Sequence, residues 1–340
     1  MKKNILIVGG GAIGGIMAAR LTQKGIDVDL LVKYPELKKT AKNQGLKVTG
    51  FQGHYTKKVN AYLPSDLLSE TYDIVMIATK ANDMKEAALH ILPFLEKESL
   101  VVSLQNGICE DELARIVGID RTVGCVVGWG ATMVKPGVYD MTSGGEFVIG
   151  AFEGVSMERL QYLKSILEKI LPVKISDNIY SDLYSKLIVN SCISTLGAIS
   201  GVRLGKMLKQ KMHRNIFLEI VKEAMQVADA MKLKVVPYAN KIDYYKLIQN
   251  GRGNNFRQHL LVRIIGLKYR RLKSSALQSL ERGKKTETDW FNGYIVSKAN
   301  EYDIDVPVNK KLVDLIKEIE KGTRQPGFHN FNDPFFKRFK

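Results

Sequence analysis

A glycine cluster at the start of the chain restricts its fold more than any other feature. Gly9, Gly11 and Gly14 form a G-x-G-x-x-G pattern directly after the apolar run "NILIVG" and at the start of a helical stretch that ends at Gly25. In such a turn the first glycine allows a tight bend, the second lets the backbone approach a diphosphate, and the third lets helix and strand pack closely. The diphosphate then lies at the positive end of the helix. We therefore predict a dinucleotide site. Its residues are Gly9, Gly10, Gly11, Ala12, Ile13 and Gly14.

The two halves of the chain have different hydrophobic patterns. In the first half, short apolar runs such as "VDLLV", "DIVMIATK" and "SLVVSLQN" alternate with amphipathic stretches, which predicts parallel βαβ units. The end of this half, "KPGVYDMTSGGEFVIG", predicts a hairpin with turns at Pro136-Gly137 and Gly144-Gly145. Beyond it the helical period dominates, so the second half is predicted to be all-α. The predicted domains are 1–176 and 177–325, followed by a basic tail at 326–340.

Composition narrows the class of protein. No apolar run reaches the ~18–20 residues that a membrane span needs, and three cysteines without metal-ligand spacing favour a reducing cytoplasm and no metal site. The formal net charge of +16 favours anionic partners such as phosphorylated cofactors or carboxylate substrates. Nucleic acid is disfavoured, because no zinc-finger spacing or RNA-binding signature accompanies the basic clusters.

The end of the second predicted strand indicates which dinucleotide binds. An NAD site usually has an acidic residue there, on the ribose 2′-hydroxyl. Here "VDLLV" is followed by Lys33 and Tyr34, whereas Asp29 lies inside the strand. A cation at this point suits a 2′-phosphate, so we predict NADP(H), although a lysine at a strand end is also often merely solvated.

Two further polar residues follow predicted strands. Lys80 ends "IATK", and Asn106 stands in "SLQNG". Open α/β sheets bind ligands at the carboxyl ends of their strands, so both residues are candidate cofactor contacts. Ordinary turn chemistry is the alternative, since Asn-Gly is a common turn pair.

A polar line crosses an otherwise apolar helical stretch at 180–200. Lys186, Asn190 and Ser194 are spaced i, i+4, i+8 and share one helix face. A lysine shielded from water has a lowered pKa and can donate a proton near neutral pH. The alternative is a helix edge whose lysine extends to solvent. A second polar group at 274–292 includes Ser275 and Glu287, and residues there could equally serve as helix caps.

These motifs together resemble the ketopantoate reductase (2-dehydropantoate 2-reductase) family, from the first strand to about residue 320. The glycine pattern and Lys33 are followed in the family's order by "TK" at 79–80, "QNG" at 105–107, "PGV" at 136–138, "KLxxN" at 186–190, "SSxLQ" at 274–278 and "TExDxxNG" at 286–293. The resemblance implies a Rossmann domain with a doubly wound, mostly parallel sheet, joined to an all-α domain.

The resemblance also implies a role for each matched residue. The position matching Lys186 is the general acid, and that matching Glu287 engages the lysine. Asn106 and Asn190 match residues that hold substrate and nicotinamide, Ser275 matches a carboxylate-binding serine, and Lys33 and Lys80 match NADPH contacts. Ser194 stands where many members have asparagine, so we include it as a candidate substrate contact.

The expected function is NADPH-dependent reduction of 2-dehydropantoate in the cytoplasm. The chain departs from the family in Ser194-Thr195, where Asn-Pro is frequent, and in a long basic segment at 234–272. Two alternatives therefore stay open: a D-2-hydroxyacid dehydrogenase acting on another 2-oxoacid, and a non-catalytic NADP(H)-binding regulator. We expect a small 2-oxoacid as the partner and no association with a membrane. Whether the protein forms a homodimer stays an open question.

Overall fold

The protein divides into two compact units, Met1–Leu183 and Tyr184–Lys340. The computed structural model describes residues 4–66, 71–239, 241–249 and 254–340, without the side chains of 254 and 255. The division falls seven residues after the predicted boundary at 176/177 because a long helix begins in the first unit. A β-carbon added at Gly124 or Gly150 would lie 2.8 or 2.6 Å from Ile179, so the start of this helix packs on the first unit's sheet.

Twelve strands are found in the described part of the chain, all in the first unit. They are β1 (Ile5–Val8), β2 (Asp29–Leu31), β3 (Leu46–Gly50), β4 (Tyr55–Lys57), β5 (Asn60–Tyr62), β6 (Tyr72–Ile77), β7 (Leu95–Ser103), β8 (Thr122–Val127), β9 (Gly130–Lys135), β10 (Val138–Ser143), β11 (Phe147–Ala151) and β12 (Val173–Ile175). The helices between them are α1 (Ala12–Gln23), α2 (Pro35–Lys39), α3 (Met84–Ile91), α4 (Glu110–Val117) and α5 (Met157–Leu167). Short helical turns of other types cover Thr40–Gln44, Ala81–Asp83, Leu92–Phe94 and Ile119–Arg121.

The larger sheet has the strand order β12-β11-β8-β7-β6-β1-β2-β5 within the described residues. It is parallel except where β11 runs antiparallel to β8. Strand β1 lies between β2 and β6, where the direction of winding changes, and all four of its residues are buried. The predicted doubly wound, mostly parallel sheet is confirmed. Its ligand-binding edge is expected at the carboxyl end of β1.

The predicted hairpin is half correct. The Pro136-Gly137 turn joins β9 and β10, which pair antiparallel. The Gly144-Gly145 turn was wrongly predicted as a second hairpin turn, because β11 leaves this sheet and pairs with β8 and β12. Strands β9 and β10 belong instead to a smaller sheet, ordered β4-β3-β10-β9, that the sequence did not predict.

The regular elements of the second unit are all helices within its described residues, apart from one isolated bridge between Tyr238 and Ile242. Its helices are α6 (Ile179–Ser200, which begins in the first unit), α7 (Leu204–Lys209), α8 (Lys211–Ala230), α9 (Tyr244–Ile248), α10 (Asn254–Lys268), α11 (Ser275–Glu281), α12 (Asn292–Glu301) and α13 (Pro307–Glu320). Short 3-10 helices cover Thr288–Trp290, Phe328–Asn332 and Pro334–Phe339. Within the described residues no helix combines the length and the hydrophobicity of a transmembrane segment.

The predicted basic tail at 326–340 packs onto the second unit. Phe331, Phe336 and Phe339 are buried there, and the Asn215 amide donates to the Phe339 carbonyl at 2.8 Å. The Asn330 amide also donates to the Ile199 carbonyl at 3.0 Å. Burial of the three phenylalanines stabilises this packing, and the neighbouring lysines and arginine stay exposed to solvent.

Tyr139 on β10 ties the smaller sheet to the glycine turn. Its ring packs so closely on α1 that a β-carbon at Gly15 would lie 2.2 Å from it. Its hydroxyl donates to the Gly10 carbonyl at 2.9 Å and is fully buried. The smaller sheet therefore supports the backbone of the predicted dinucleotide site.

Replacing Gly15 by alanine should destabilise the protein by about 1–3 kcal/mol, because the added methyl overpacks the Tyr139 ring. The better helix propensity of alanine, worth up to about 1 kcal/mol, offsets part of the loss. Urea unfolding curves measure the change. The loss should shrink in a Tyr139→Leu background, since the clashing ring atoms are gone. An equal loss in both backgrounds would show that Tyr139 is not the cause.

Candidate active site

The glycine turn after β1 is closely packed at every glycine except one. Gly9 has φ +108°, and a β-carbon there would lie 2.9 Å from the backbone of Ala78 and Thr79. A β-carbon at Gly14 would lie 2.0 Å from the Gly9 carbonyl oxygen. By contrast, a β-carbon at Gly11 would have no neighbour within 4 Å. Packing explains Gly9 and Gly14, whereas the space beside Gly11 is open to a ligand.

The start of α1 is suited to an anion. Gly11 occupies the N-cap position without a side chain to cap the helix, and the first turn contains no acidic residue. The first N–H groups of a helix lack intrahelical partners and carry the positive end of the helix dipole. Backbone groups of Gly11, Ala12 and Ile13 therefore offer donors to a diphosphate. The open space and the donor chemistry fit the dinucleotide predicted from the sequence.

A cation directly follows the buried end of β2. Lys33 is exposed directly after the buried Val32. Asp29, the acidic residue within β2, accepts a hydrogen bond from the Tyr72 hydroxyl at 2.8 Å. That bond occupies Asp29 in the sheet, so a lysine stands at this strand end in place of the acidic group typical of an NAD site, and the next carboxylate is that of Glu36 in the first turn of α2.

The ends of β6 and β7 are linked by one buried side chain. The Gln105 amide donates to the Thr79 hydroxyl at 3.4 Å, and its oxygen accepts from the Ser103 hydroxyl at 2.8 Å. Lys80 and Asn106 follow Thr79 and Gln105 directly, with Lys80 exposed and Asn106 half-buried. Gly107 then turns the chain at φ +93°. The bridge therefore places both predicted cofactor contacts at one edge of the sheet.

Helix α6 presents the predicted polar line. Lys186 and Asn190 are half-buried and Ser194 is buried, whereas Leu187, Ile188 and Cys192 on other faces are fully buried. The Asn190 amide nitrogen is shielded from solvent and has no hydrogen-bond partner within the described residues. A buried donor without a partner costs about 1–3 kcal/mol. This position therefore favours an acceptor supplied by a ligand.

Helix α11 begins against the same part of α6. The Ser274 hydroxyl accepts from the Leu277 N–H as the N-cap of α11 and donates to the Ser194 carbonyl, both at 3.2 Å. A β-carbon at Gly197 would lie 2.7 Å from the Ser274 hydroxyl oxygen, so this glycine permits the approach. The contact brings the hydroxyls of Ser194 and Ser275 within 3.3 Å of each other. Two predicted substrate contacts, 81 residues apart in the chain, thus form one pair.

Glu287 is buried, 5% exposed, directly before the 3-10 helix Thr288–Trp290. Its segment is fixed on both sides. The Thr286 N–H donates to the Glu320 carboxylate at 2.6 Å, and the Thr286 hydroxyl bonds the Thr288 hydroxyl at 2.9 Å. A carboxylate held in this way has a defined position for pairing with a cation.

A buried polar chain links four helices of the second unit, and sequence reasoning missed most of it. The Thr195 hydroxyl on α6 donates to the Asn292 amide oxygen on α12. Asn292 donates to Asn309 on α13 at 2.8 Å, and Asn309 donates to Glu223 on α8 at 2.7 Å. Thr195 adjoins Ser194 on α6, and Asn292 lies five residues after Glu287. This series of hydrogen bonds therefore fixes the two segments that carry the predicted acid, Lys186, and its carboxylate, Glu287.

Glu223 on α8 also caps the start of α13. Its carboxylate oxygens accept from the Val308 and Asn309 N–H groups at 2.8 and 2.9 Å. Burial raises the pKa of Glu223, and these hydrogen bonds oppose that rise by stabilising the ionised form. The available signal was a glutamate among the apolar residues of "IVKEAMQVA", which indicates a buried polar role but not its partners.

The predicted residues fall into two groups. The dinucleotide candidates lie in the first unit, at the carboxyl ends of β1, β2, β6 and β7. The candidates for catalysis and substrate binding lie in the second unit, on α6, on α11 and before α12, apart from Asn106. Among the described residues no group of three or more His, Cys, Asp or Glu side chains could hold a metal ion.

Comparisons with known proteins cover nearly the whole chain. The family model "Ketopantoate reductase PanE/ApbA" matches residues 5–154, and its C-terminal counterpart matches 178–320. The 2-dehydropantoate 2-reductase of Pyrococcus abyssi is 29% identical, with 92% of this chain and 96% of the relative covered. That of Aquifex aeolicus is 27% identical, with 94% and 98% covered.

Solved structures give the same result. A PanE/ApbA family ketopantoate reductase from Ralstonia eutropha JMP134 has a TM-score of 0.80 at 28% identity, over 94% of this chain and 99% of that one. D-mandelate dehydrogenase with NADH and anilino(oxo)acetate has a TM-score of 0.81 at 23% identity, over 94% and 98%, and at that identity it shows the fold alone. With family models matched in both units, the chain belongs to the ketopantoate reductase family.

Proposed function

We propose that this protein reduces 2-dehydropantoate (ketopantoate) to (R)-pantoate with NADPH, a step of pantothenate and coenzyme A biosynthesis. The observation that carries the proposal is the polar line of α6. There a half-buried lysine lies one turn from an amide whose buried N–H group has no partner in the part of the chain that the structure describes. Family membership over both units supports the reaction class. A regulator that only senses NADP(H) needs neither Lys186 nor a buried Glu287.

The residues proposed to hold NADPH are those of the glycine turn together with three side chains. Gly9 to Gly14 would hold the diphosphate, with Gly11 leaving space for it. Lys33 would pair with the 2′-phosphate, because no acidic residue at the end of β2 repels it. Lys80 and Asn106 would contact the remainder of the cofactor. When bound, NADPH supplies the hydride that reduces the keto carbon.

Lys186 is the proposed general acid. As negative charge develops on the ketone oxygen, a positioned ammonium group donates its proton to that oxygen. Glu287 is proposed to engage Lys186 and to hold its orientation. Asn190 would donate its unpaired N–H to the substrate, and Ser194 and Ser275 would bind the substrate carboxylate and hydroxyl.

The location and assembly of the enzyme are also proposals. Among the described residues the cysteines Cys109, Cys125 and Cys192 are buried and form no disulfide, which suits the reducing cytoplasm. A homodimer is the assembly that light scattering should test. The small 2-oxoacid is the partner that best suits the net charge of +16.

Lys33→Asp should narrow or reverse the preference for NADPH over NADH. The substitution replaces the proposed 2′-phosphate partner by a carboxylate that repels the phosphate and accepts the ribose hydroxyl. The ratio of kcat/KM for the two cofactors measures the change. Lys24→Asp is the matched control, since Lys24 is exposed at the opposite end of α1 and should leave the ratio unaltered. Equal or better turnover with NADH in the unaltered protein would refute the NADPH assignment.

Lys186→Ala should lower kcat for ketopantoate by roughly 10²–10⁴-fold, the usual range for a lost general acid. NADPH affinity should change little, because the glycine turn and Lys33 are intact. Steady-state kinetics and a cofactor titration measure both effects. Lys222→Ala is the control, since Lys222 is a half-buried lysine on α8, 3.2 Å from Glu219. Near-normal kcat in Lys186→Ala would remove the lysine from the mechanism.

A further inference from the structure

A surface cavity in the second unit is lined by none of the residues that the proposed reaction uses. It opens between α9, together with the residues just before that helix, and α10. Its empty volume is about 620 Å³, part of which is open to solvent. Sites for small molecules typically have volumes of about 300–1,000 Å³. The cavity is therefore large enough for a ligand of its own.

Hydrogen bonds hold the two helices that form the cavity. Asp243 caps α9, because its carboxylate accepts from a backbone N–H of the first turn at 3.1 Å. Tyr244 is buried, and its hydroxyl donates to the Ser185 carbonyl at 2.5 Å, which anchors α9 on α6. The Gln258 amide on α10 donates to the Gln249 carbonyl, directly after α9, at 3.2 Å. The fold itself thus defines the walls, as is usual for small-molecule sites.

Four apolar side chains line the cavity. Leu247 is buried, Ile242 and Ile265 are half-buried, and Leu261 is 37% exposed. Apolar surface that stays in contact with water is unfavourable, and a hydrocarbon group placed against it removes it from water. This part of the cavity therefore favours a ligand with an apolar portion.

Two cations at the cavity have no ion pair or side-chain hydrogen bond within the described residues. They are the exposed side chains of Lys241 and Arg257. The third cation, Lys246, lies 3.4 Å from the carboxylate of Asp243, the acidic residue of the cavity's described lining. No Asp or Glu occurs between residues 244 and 280. The excess of positive charge favours an anion.

We propose that this cavity binds an organic anion that carries an apolar chain, such as an aliphatic carboxylate. Arg257 and Lys241 would pair with the anionic group, since a guanidinium offers parallel donors that match a carboxylate. The chain would cover Leu261 and Ile265. A neutral chain leaves the two cations unpaired, and a small anion leaves the apolar wall in water, so the cavity selects ligands with both parts. The site is additional to the proposed active site and does not depend on the proposed function.

Isothermal titration calorimetry of the whole chain with octanoate tests the proposal. For a ligand of this size we expect a dissociation constant of about 0.1–5 mM. Octanamide lacks the charge and acetate lacks the chain, so each should bind at least roughly tenfold more weakly than octanoate. Equal affinity for octanoate and octanamide, or no binding of octanoate, would overturn the inference.

Matched substitutions test the location. Leu261→Ala should weaken octanoate binding roughly three- to tenfold, because the chain loses apolar contact. Leu260→Ala is its control, since Leu260 is 46% exposed on the same helix but lies outside the cavity. Arg257→Gln should weaken binding roughly three- to tenfold, as expected for one lost ion pair. Arg282→Gln, which alters an exposed arginine at the end of α11, should leave the affinity unaltered.

Equal losses in Leu261→Ala and Leu260→Ala would overturn the inference, because they would indicate unspecific association with the exposed face of α10. Ser275→Ala separates the cavity from the proposed active site, where a carboxylate is also expected to bind. Octanoate affinity should be unaltered in Ser275→Ala. A loss of affinity in Ser275→Ala, with none in Arg257→Gln, would assign octanoate to the active site and overturn the inference.

Discussion

The second unit depends on the buried chain of hydrogen bonds from Thr195 through Asn292 and Asn309 to Glu223. All four side chains are at most 3% exposed, so each polar atom left without its partner would cost about 1–3 kcal/mol. These hydrogen bonds join α6, α12, α13 and α8. The Glu223 carboxylate also accepts hydrogen bonds from two N–H groups at the start of α13. The position of α6, and with it the line of Lys186, Asn190 and Ser194, follows from this requirement. A polar network of this kind fixes one helix arrangement where an apolar core would tolerate several.

The first unit depends on a steric constraint. Neither Gly9 nor Gly14 leaves room for a side chain. A β-carbon at Gly14 would clash with the Gly9 carbonyl, and one at Gly9 would clash with the backbone of Ala78 and Thr79 after β6. The smaller sheet adds Tyr139, whose hydroxyl holds the Gly10 carbonyl. Gly11 alone faces open space. The tight packing around it gives the turn a fixed shape, and that shape leaves the helix N–H groups available to an anion.

Patterns that are local in the chain were predicted well, and partners that are distant in the chain were not. The glycine turn, the alternation of strands and helices, and the spacing of Lys186, Asn190 and Ser194 are read from neighbouring residues. The smaller sheet was missed because β10 pairs with β3, about ninety residues earlier. Thr195 and Glu223 were missed because their partners lie 97 and 86 residues away. The burial of Phe331, Phe336 and Phe339 was not predicted, because basic neighbours dominate this segment and it was described only as a basic tail.

The central claim is that the serine pair and the Asn190 amide select ketopantoate, a 2-oxoacid with a hydroxyl group. Sites built to pair a hydroxyl discriminate against analogues that lack it, because their own polar groups are then left unpaired. Here the Ser194 hydroxyl lies 3.3 Å from the Ser275 hydroxyl. The most direct test is kcat/KM for ketopantoate and for 2-oxoisovalerate, which has the branch but no hydroxyl, with NADPH at one pH. We expect the higher value for ketopantoate. An equal or higher value for 2-oxoisovalerate, or for an aromatic 2-oxoacid, would contradict the claim.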